Sequence, residues 1–193
     1  TDGSLVRRIT VGTQPNGVHF DGRYMWVAND GSNNVTKIDA ATFTVIGTYP
    51  VGTNPRIVSF DGRKIWVTNN GSNNVVVLNP ADGSLLASYP VGTRPVGITY
   101  DGACMWVANS GSNNVTRLRA SDGAVLGIYA VGAQPRGVSF DGSHIWVTNF
   151  DDDTVTKLRA RDGFLVGTYP VGDGPRGIVF DGCNMWIVNS NEA

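Results

Sequence analysis

Glutamate is almost missing from these 193 residues: Glu192, the penultimate residue, is the only one. Histidine occurs twice, at His19 and His144, and cysteine twice, at Cys104 and Cys183. A metal-assisted or general acid–base centre built on a His and Glu cluster therefore has little to draw on. The cysteines fall at neighbouring positions of a repeat but two units apart, too far for a disulfide, and neither has a Cys-x-x-Cys partner, so both read as free thiols. No apolar run approaches the ~18 residues that a membrane-spanning helix needs. Charge of one sign is not concentrated anywhere: 15 basic residues stand against 16 acidic ones, for a net charge of −1, so electrostatic binding to nucleic acid or to an anionic membrane has no basis. No 3.6-residue period of apolar side chains is found, which removes helical bundles and helical solenoids.

What the chain does have is a period of forty. Trp26, Trp66, Trp106, Trp146 and Trp186 mark it without slippage. Complete units begin at Val11, Val51, Val91 and Val131, and a partial one runs over 171–193. Each complete unit carries four candidate strands, typified by Gly17–Phe20, Met25–Ala28, Val35–Ile38 and Val45–Tyr49. Asp21-Gly22 and Gly31-Ser32-Asn33-Asn34 supply the turns, since Gly, Asn and Asp accept the positive φ angles that tight connections demand. Four antiparallel strands per ~40 residues, repeated, predict an all-β chain: a β-propeller of four-stranded blades.

The ends extend this expectation. Asp2-Gly3-Ser4-Leu5 matches Asp82-Gly83-Ser84-Leu85 late in a unit. Residues 1–10 therefore read as a closing fourth strand, and 171–193 as the first two strands of the same composite blade. Five units would need 200 positions against the 193 present, so the simplest reading is one domain over 1–193, five-bladed, with a composite closing blade that lacks its third strand. Two further whole blades would leave the ends in the same phase. The chain begins at Thr1 with no legible signal peptide, which leaves the compartment open.

The run Pro15-x-Gly17-Val18-x-Phe20-Asp21-Gly22-x-x-Met25-Trp26-Val27-Ala28-Asn29-x-Gly31-Ser32-Asn33-Asn34-Val35 resembles the YVTN-type β-propeller repeat. The signature tetrapeptide stands as Trp-Val-Thr-Asn at 66–69 and 146–149, as Trp-Val-Ala-Asn in units one and three, and as Trp186-Ile187-Val188-Asn189 in the fifth. The resemblance implies kinship with surface-layer-type propellers and streptogramin B lyase propellers, in which seven blades are common. It also favours an extracellular or cell-surface location. The lyase-type site finds no matching cluster here.

In a propeller, the loop entering each first strand and the loop between second and third strands share the face around the channel mouth. The positions that vary from unit to unit on that face are the candidate site: Gln14, Asn16, Arg56, Arg94, Gln134, Arg136, Arg176 and Phe150. Arginines and amides around one mouth suit an anionic, carboxylated or glycan ligand through charge-assisted and bidentate bonds. The alternative at those positions is ordinary solvated loop residues. Asp151-Asp152-Asp153 breaks the Gly-Ser-Asn-Asn turn, and Asp151 and Asp153 suggest a weak calcium site, against a plain acidic turn. The tryptophans fit packing between blades better than a sugar-stacking set. The expectation is thus a non-catalytic binding module for a protein or glycan, without a resident cofactor, monomeric or a partial ring able to associate. The alternatives are a metal-dependent lyase or hydrolase, or a purely structural piece of a surface assembly.

Overall fold

The computed structural model describes residues 3–190. Its first sheet consists of β1 (Pro15–Phe20), β2 (Tyr24–Asn29), β3 (Asn34–Asp39) and β4 (Val45–Pro50), in that order and antiparallel throughout. The second comprises β5 (Pro55–Phe60), β6 (Ile65–Asn69), β7 (Asn74–Leu78) and β8 (Leu85–Pro90). The third comprises β9 (Pro95–Tyr100), β10 (Cys104–Asn109), β11 (Asn114–Arg119) and β12 (Val125–Ala130). The fourth comprises β13 (Pro135–Phe140), β14 (His144–Asn149), β15 (Thr154–Arg159) and β16 (Leu165–Pro170). A two-stranded sheet, β17 (Pro175–Phe180) and β18 (Met185–Asn189), follows. The four predicted strands per unit are present, each a residue or two longer than the sequence pattern outlined. Among the described residues there is no α-helix, only one 3₁₀ turn at Asp30–Ser32.

Consecutive sheets pack through their first and second strands, and the core lies between them. Trp26, Ala28 and Val35 of the first sheet meet Val58, Ile65, Val67, Val76 and Leu78 of the second. Trp66, Val75 and Val77 repeat the arrangement against Ile98, Met105, Val107 and Leu118. Trp106, Ala108 and Val115 repeat it against Val138, Ile145, Val147 and Leu158. Large indole rings fill the wedge that twisted neighbouring sheets leave between them. Trp26, Trp66 and Trp106 are fully buried, and each lies on the fourth-strand tyrosine of its own sheet, Tyr49, Tyr89 or Tyr129, at centroid distances of 5.4–6.0 Å.

The Asp-Gly pairs do more than turn the chain. Asp61 accepts the Arg63 and Lys64 amides on Oδ1 and the Trp66 indole N–H on Oδ2, at 2.8 Å for the last. Asp21, Asp101, Asp141 and Asp181 hold Trp26, Trp106, Trp146 and Trp186 in the same way. One carboxylate thereby closes the hairpin and satisfies the buried indole of that hairpin.

Cationic side chains staple neighbouring sheets on the opposite rim. The Lys37 ammonium, buried, donates to the carbonyls of Pro80 and Ala81 in the next sheet and sits over the Tyr24 ring at 3.9 Å. Arg117 reaches the Arg161 carbonyl likewise. The intervening unit has Val77 at that position, and there Lys64 takes over the task by donating to the Ala120 carbonyl.

The closing blade expected from the ends is not formed within the described residues. Residues 3–10 carry no strand, and β17 and β18 remain a pair without an outer neighbour. Segments not joined by a local turn pair only where tertiary packing brings their edges together, and among the described residues nothing pairs with the outer edge of β18. Cys104 is buried and Cys183 exposed, both as free thiols.

Candidate functional site

The first strands β1, β5, β9, β13 and β17 lie side by side and line one cavity of about 430 Å³. Each contains the same irregularity. Pro15 pairs with Asn29, but Val18 pairs with Val27, so three steps on one strand face two on the other. The same one-residue bulge recurs in β5, β9, β13 and β17. A bulge re-aims the side chain it carries. The residues that follow each proline, Asn16, Arg56, Val96, Arg136 and Arg176, sit in these bulges and all line the cavity.

Threonine of the Trp-Val-Thr-Asn signature fills the bulge. Thr148 Oγ1 accepts the Gly137 amide at 2.8 Å and donates to the Arg176 carbonyl of the next sheet at 3.0 Å. Thr68 does the same between Ile57 and Val96. The asparagine after it ties second strand to third: the Asn69 amide donates to Asn74, and Asn109 donates to Asn114 and Thr116.

The residues before each proline are held in the left-handed region: Gln14, Asn54, Arg94 and Gln134 have φ of 49–51° or 53°, and Gly174 has 64°. Their amides explain the conformation. Asn54, Arg94, Gln134 and Gly174 each donate a backbone N–H to the side chain of the preceding sheet's turn, namely Asn33, Asn73, Asn113 and Asp153. The loop entering a first strand is also hydrogen-bonded to the second-to-third turn of its own sheet, as in Asp30 N to Gln14 O and Asn70 N to Asn54 O. The two loops therefore share one face, as the sequence reading requires.

Of the expected site residues, Asn16, Arg56, Arg94, Gln134, Arg136 and Arg176 converge on the cavity. Gln14 and Phe150 are not part of its wall; Gln14 packs beside Gly31 in the adjoining turn. Phe150 stands under the site instead: the Arg136 guanidinium lies 4.0 Å from its ring centroid and that of Arg176 lies 4.8 Å away. One aromatic ring thus interacts with two like charges. Arg136 also donates to Gln134 Oε1, and Arg176 donates to Ser190 Oγ. Arg56 makes an ion pair with Asp30 at 3.1 Å. Among the described residues, no acidic residue lines the cavity. The Nε atoms of Arg56 and Arg136 are buried with no hydrogen-bond partner. Burial lowers the pKa of Arg136, and the neighbouring charges of Arg176, Arg94 and Arg56 act in the same direction against the opposing pull of Asp151. Below the arginines the wall is apolar, from Ile57, Ile98, Val138 and Ile178. Sequence reasoning missed this apolar layer, because only the bulge decides which strand residues turn inward. Asn70 and Ser110 line the cavity too, at turn positions whose variation between units was their one sequence signal.

The three aspartates each have a separate structural task. Asp151 accepts from the Gln134 side chain, Asp152 from the Ala133 amide and Asp153 from the Gly174 amide. Asp152 and Asp153 thereby take over the roles of Ser32 and Asn33 in the first unit. Among the described residues no group of three or more His, Cys, Asp and Glu is placed to hold a metal ion. His19 lies on β1 opposite Trp26, while His144 opens β14 with Nδ1 3.5 Å from Asp141, so the two histidines belong to different sheets. Burial lowers the pKa of His19. Glu192 lies outside the described residues.

No protein-family model matches this chain, and no curated protein does. Solved structures do. Hydrazine synthase of Kuenenia stuttgartiensis aligns with a TM-score of 0.77 at 23% identity over 92% of this chain and 54% of its own. A streptogramin B lyase aligns with 0.78 at 21% over 90% and 61%. Virginiamycin B lyase of Staphylococcus aureus aligns with 0.79 at 19% over 93% and 66%. The chain thus spans about half to two-thirds of the length of these structures. At such identities the likeness shows the fold, an antiparallel β-propeller, and no more than the fold.

Proposed function

We propose that the chain is a non-catalytic binding module that takes an anionic group, carried by a protein or a glycan, at the arginine-lined channel mouth. The observation that carries this reading is the pair of buried Arg56 and Arg136 Nε atoms without hydrogen-bond partners, in a cavity that four arginines and, among the described residues, no acid line. A buried guanidinium Nε without a hydrogen-bond partner is costly, so a ligand carboxylate or sulfate gains both the Coulomb attraction of the arginine cluster and the unmade hydrogen bonds. The cavity volume lies within the range of small-ligand sites, and its apolar floor suits a group with a hydrocarbon body.

The test is titration of poly-glutamate and of polygalacturonate onto the protein by calorimetry, with the Arg56→Gln/Arg136→Gln double variant alongside. The expected result is salt-sensitive binding that the double variant weakens by roughly a hundredfold, about tenfold for each charge-assisted pair. Thermal stability should change little, relief of repulsion among the arginines offsetting loss of the Arg56–Asp30 ion pair. Equal capture by the double variant would overturn the assignment.

The lyase reading rests on the shared fold with the two antibiotic lyases. His19 and His144 supply the only imidazoles for it, and they stand on separate sheets. Turnover of a streptogramin B antibiotic that survives His19→Gln and His144→Gln and is lost in Arg136→Gln would move the channel from binding to catalysis.

A further inference from the structure

The turn between second and third strands sets one residue of each sheet beside the first strands: Asp30, Asn70, Ser110, Phe150 and Ser190. Four of the five use a polar side chain there. Asp30 Oδ1 accepts from the Asn54 side chain, and its Oδ2 pairs with Arg56 of the next sheet at 3.1 Å. Asn70 donates to the Pro95 carbonyl, Ser110 to the Arg94 carbonyl and Ser190 to the Gly174 carbonyl. Phe150 alone has no hydrogen-bonding group in its side chain. What its ring meets instead is charge, from Arg136 of its own sheet and Arg176 of the next.

Arg56 and Arg176 occupy the same position of the repeat, and each meets the turn of the sheet before it. The first sheet answers its arginine with a carboxylate, the fourth with a ring. A carboxylate cancels the charge of the guanidinium, whereas an aromatic ring attracts the cation through its quadrupole and leaves the net charge in place. Asp151, in the same turn as Phe150, does not pair with Arg136 directly. Gln134 stands between them, its amide nitrogen donating to Asp151 and its amide oxygen accepting from Arg136. Among the described residues neither Arg136 nor Arg176 forms an ion pair with an acid.

We propose that Phe150 is the positioning residue of the anion site: it holds the Arg136 and Arg176 guanidinium groups at the mouth without neutralising them, so the anionic group of the ligand is taken on the side of the fourth and last sheets. Arg56, compensated by Asp30, offers its unpartnered Nε as a hydrogen-bond donor rather than net charge. The inference rests on reading the mouth as an anion site, and it adds which part of the mouth carries the charge and which uncharged residue keeps it there. Asp30 and Phe150 are then opposite settings of one repeat position.

Calorimetric titration of poly-glutamate at several salt concentrations tests this, with thermal melts of each variant alongside. Phe150→Asp places the first sheet's carboxylate beside Arg136 and Arg176. It should weaken binding by about tenfold or more and flatten the salt dependence, without lowering the melting temperature. A merely structural role for the ring would lower stability and leave the salt dependence as it was. Phe150→Leu keeps an apolar side chain but removes the ring, and should weaken binding by about threefold. Phe150→Tyr should recover most of what Phe150→Leu loses. Asp30→Asn, which installs the residue the second sheet uses at this position, frees Arg56 and should tighten binding by about threefold or more. That variant leaves position 150 untouched, so it keeps the proposal falsifiable should Phe150→Asp fail to fold. Wild-type affinity and salt dependence in Phe150→Asp overturn the proposal, as does an affinity that Asp30→Asn leaves unchanged or weakens. If the Arg56→Gln/Arg136→Gln variant has lost capture in the same titrations, the anion site itself stands and only the role of Phe150 falls. Undiminished capture by that double variant overturns both.

Discussion

At the scale of single residues, the aspartate five positions before each tryptophan is the unit of design. Its Oδ2 receives an indole N–H while its Oδ1 receives two turn amides, and the tryptophan then fills the gap between sheets. Asp181 shows how strongly the charged form is favoured: the Asn184 amide, then the Trp186 indole and the Cys183 amide, draw its carboxyl down to about 2. Removing the acceptor where the indole is fully buried strands a donor away from water. Asp61→Ala should therefore destabilise the fold by about 2–3 kcal/mol in urea melts, close to the upper range for a buried unsatisfied group. A change within a few tenths of a kcal/mol would mean that another acceptor takes the Trp66 proton. The Asp-Gly pairs were legible as turns from the sequence alone. Their bond to tryptophan was not, because a hairpin must fold back before residues five apart come within reach.

At the scale of elements, the first strand is the part that makes a site. Its bulge turns Arg56, Arg136 and Arg176 toward the cavity, and the close approach of neighbouring first strands sets the spacing between them. Glycine permits that approach. A Cβ on Gly137 would lie 2.3 Å from the Arg176 carbonyl oxygen, and one on Gly97 would lie 2.3 Å from that of Arg136. Backbone cannot swing aside as a side chain can, so Gly137→Ala should cost about 1–3 kcal/mol and weaken anion capture by displacing Arg176. Gly177 stands at the same position of the last sheet, where a Cβ would meet nothing nearer than Val188 at 4.0 Å. Gly177→Ala should leave stability nearly unchanged. Equal costs at the two positions in thermal melts would show that backbone entropy rather than interstrand contact decides the effect. The strands themselves were readable from alternation and β-branched runs, and the face bearing the arginines from the order of the loops. The bulge was not readable, since it depends on a threonine hydroxyl or a neighbouring strand capturing the freed amide.

At the scale of the whole molecule, stability in a stacked array is a sum of sheets and sheet-to-sheet contacts. The same substitution should then have a different cost at different places along the array. Trp66→Ala removes a fully buried ring and should cost about 3–5 kcal/mol, whereas Trp186→Ala, at a ring that is 60% exposed, should cost less than about 1 kcal/mol. Comparable costs in denaturant melts would require Trp186 to be covered.

The forty-residue period, the four strands in each complete unit, their turns and the packing of Trp26, Trp66 and Trp106 between sheets follow from the sequence by itself, because they rest on local backbone preference and on a pattern repeated at fixed spacing. So does the choice of loops that ring the channel. The tertiary structure alone decided three other things: which varying residues form a wall, which support it, and whether the ends meet. Gln14 and Phe150 share a loop face with the arginines, yet one packs in a turn and the other carries two guanidinium groups on its ring. The matching phases of residues 1–10 and 171–193 suggested a composite blade, but residues 3–10 form no strand and β17 and β18 pair only with each other, because pairing of segments distant in sequence is set by tertiary packing and not by local preference.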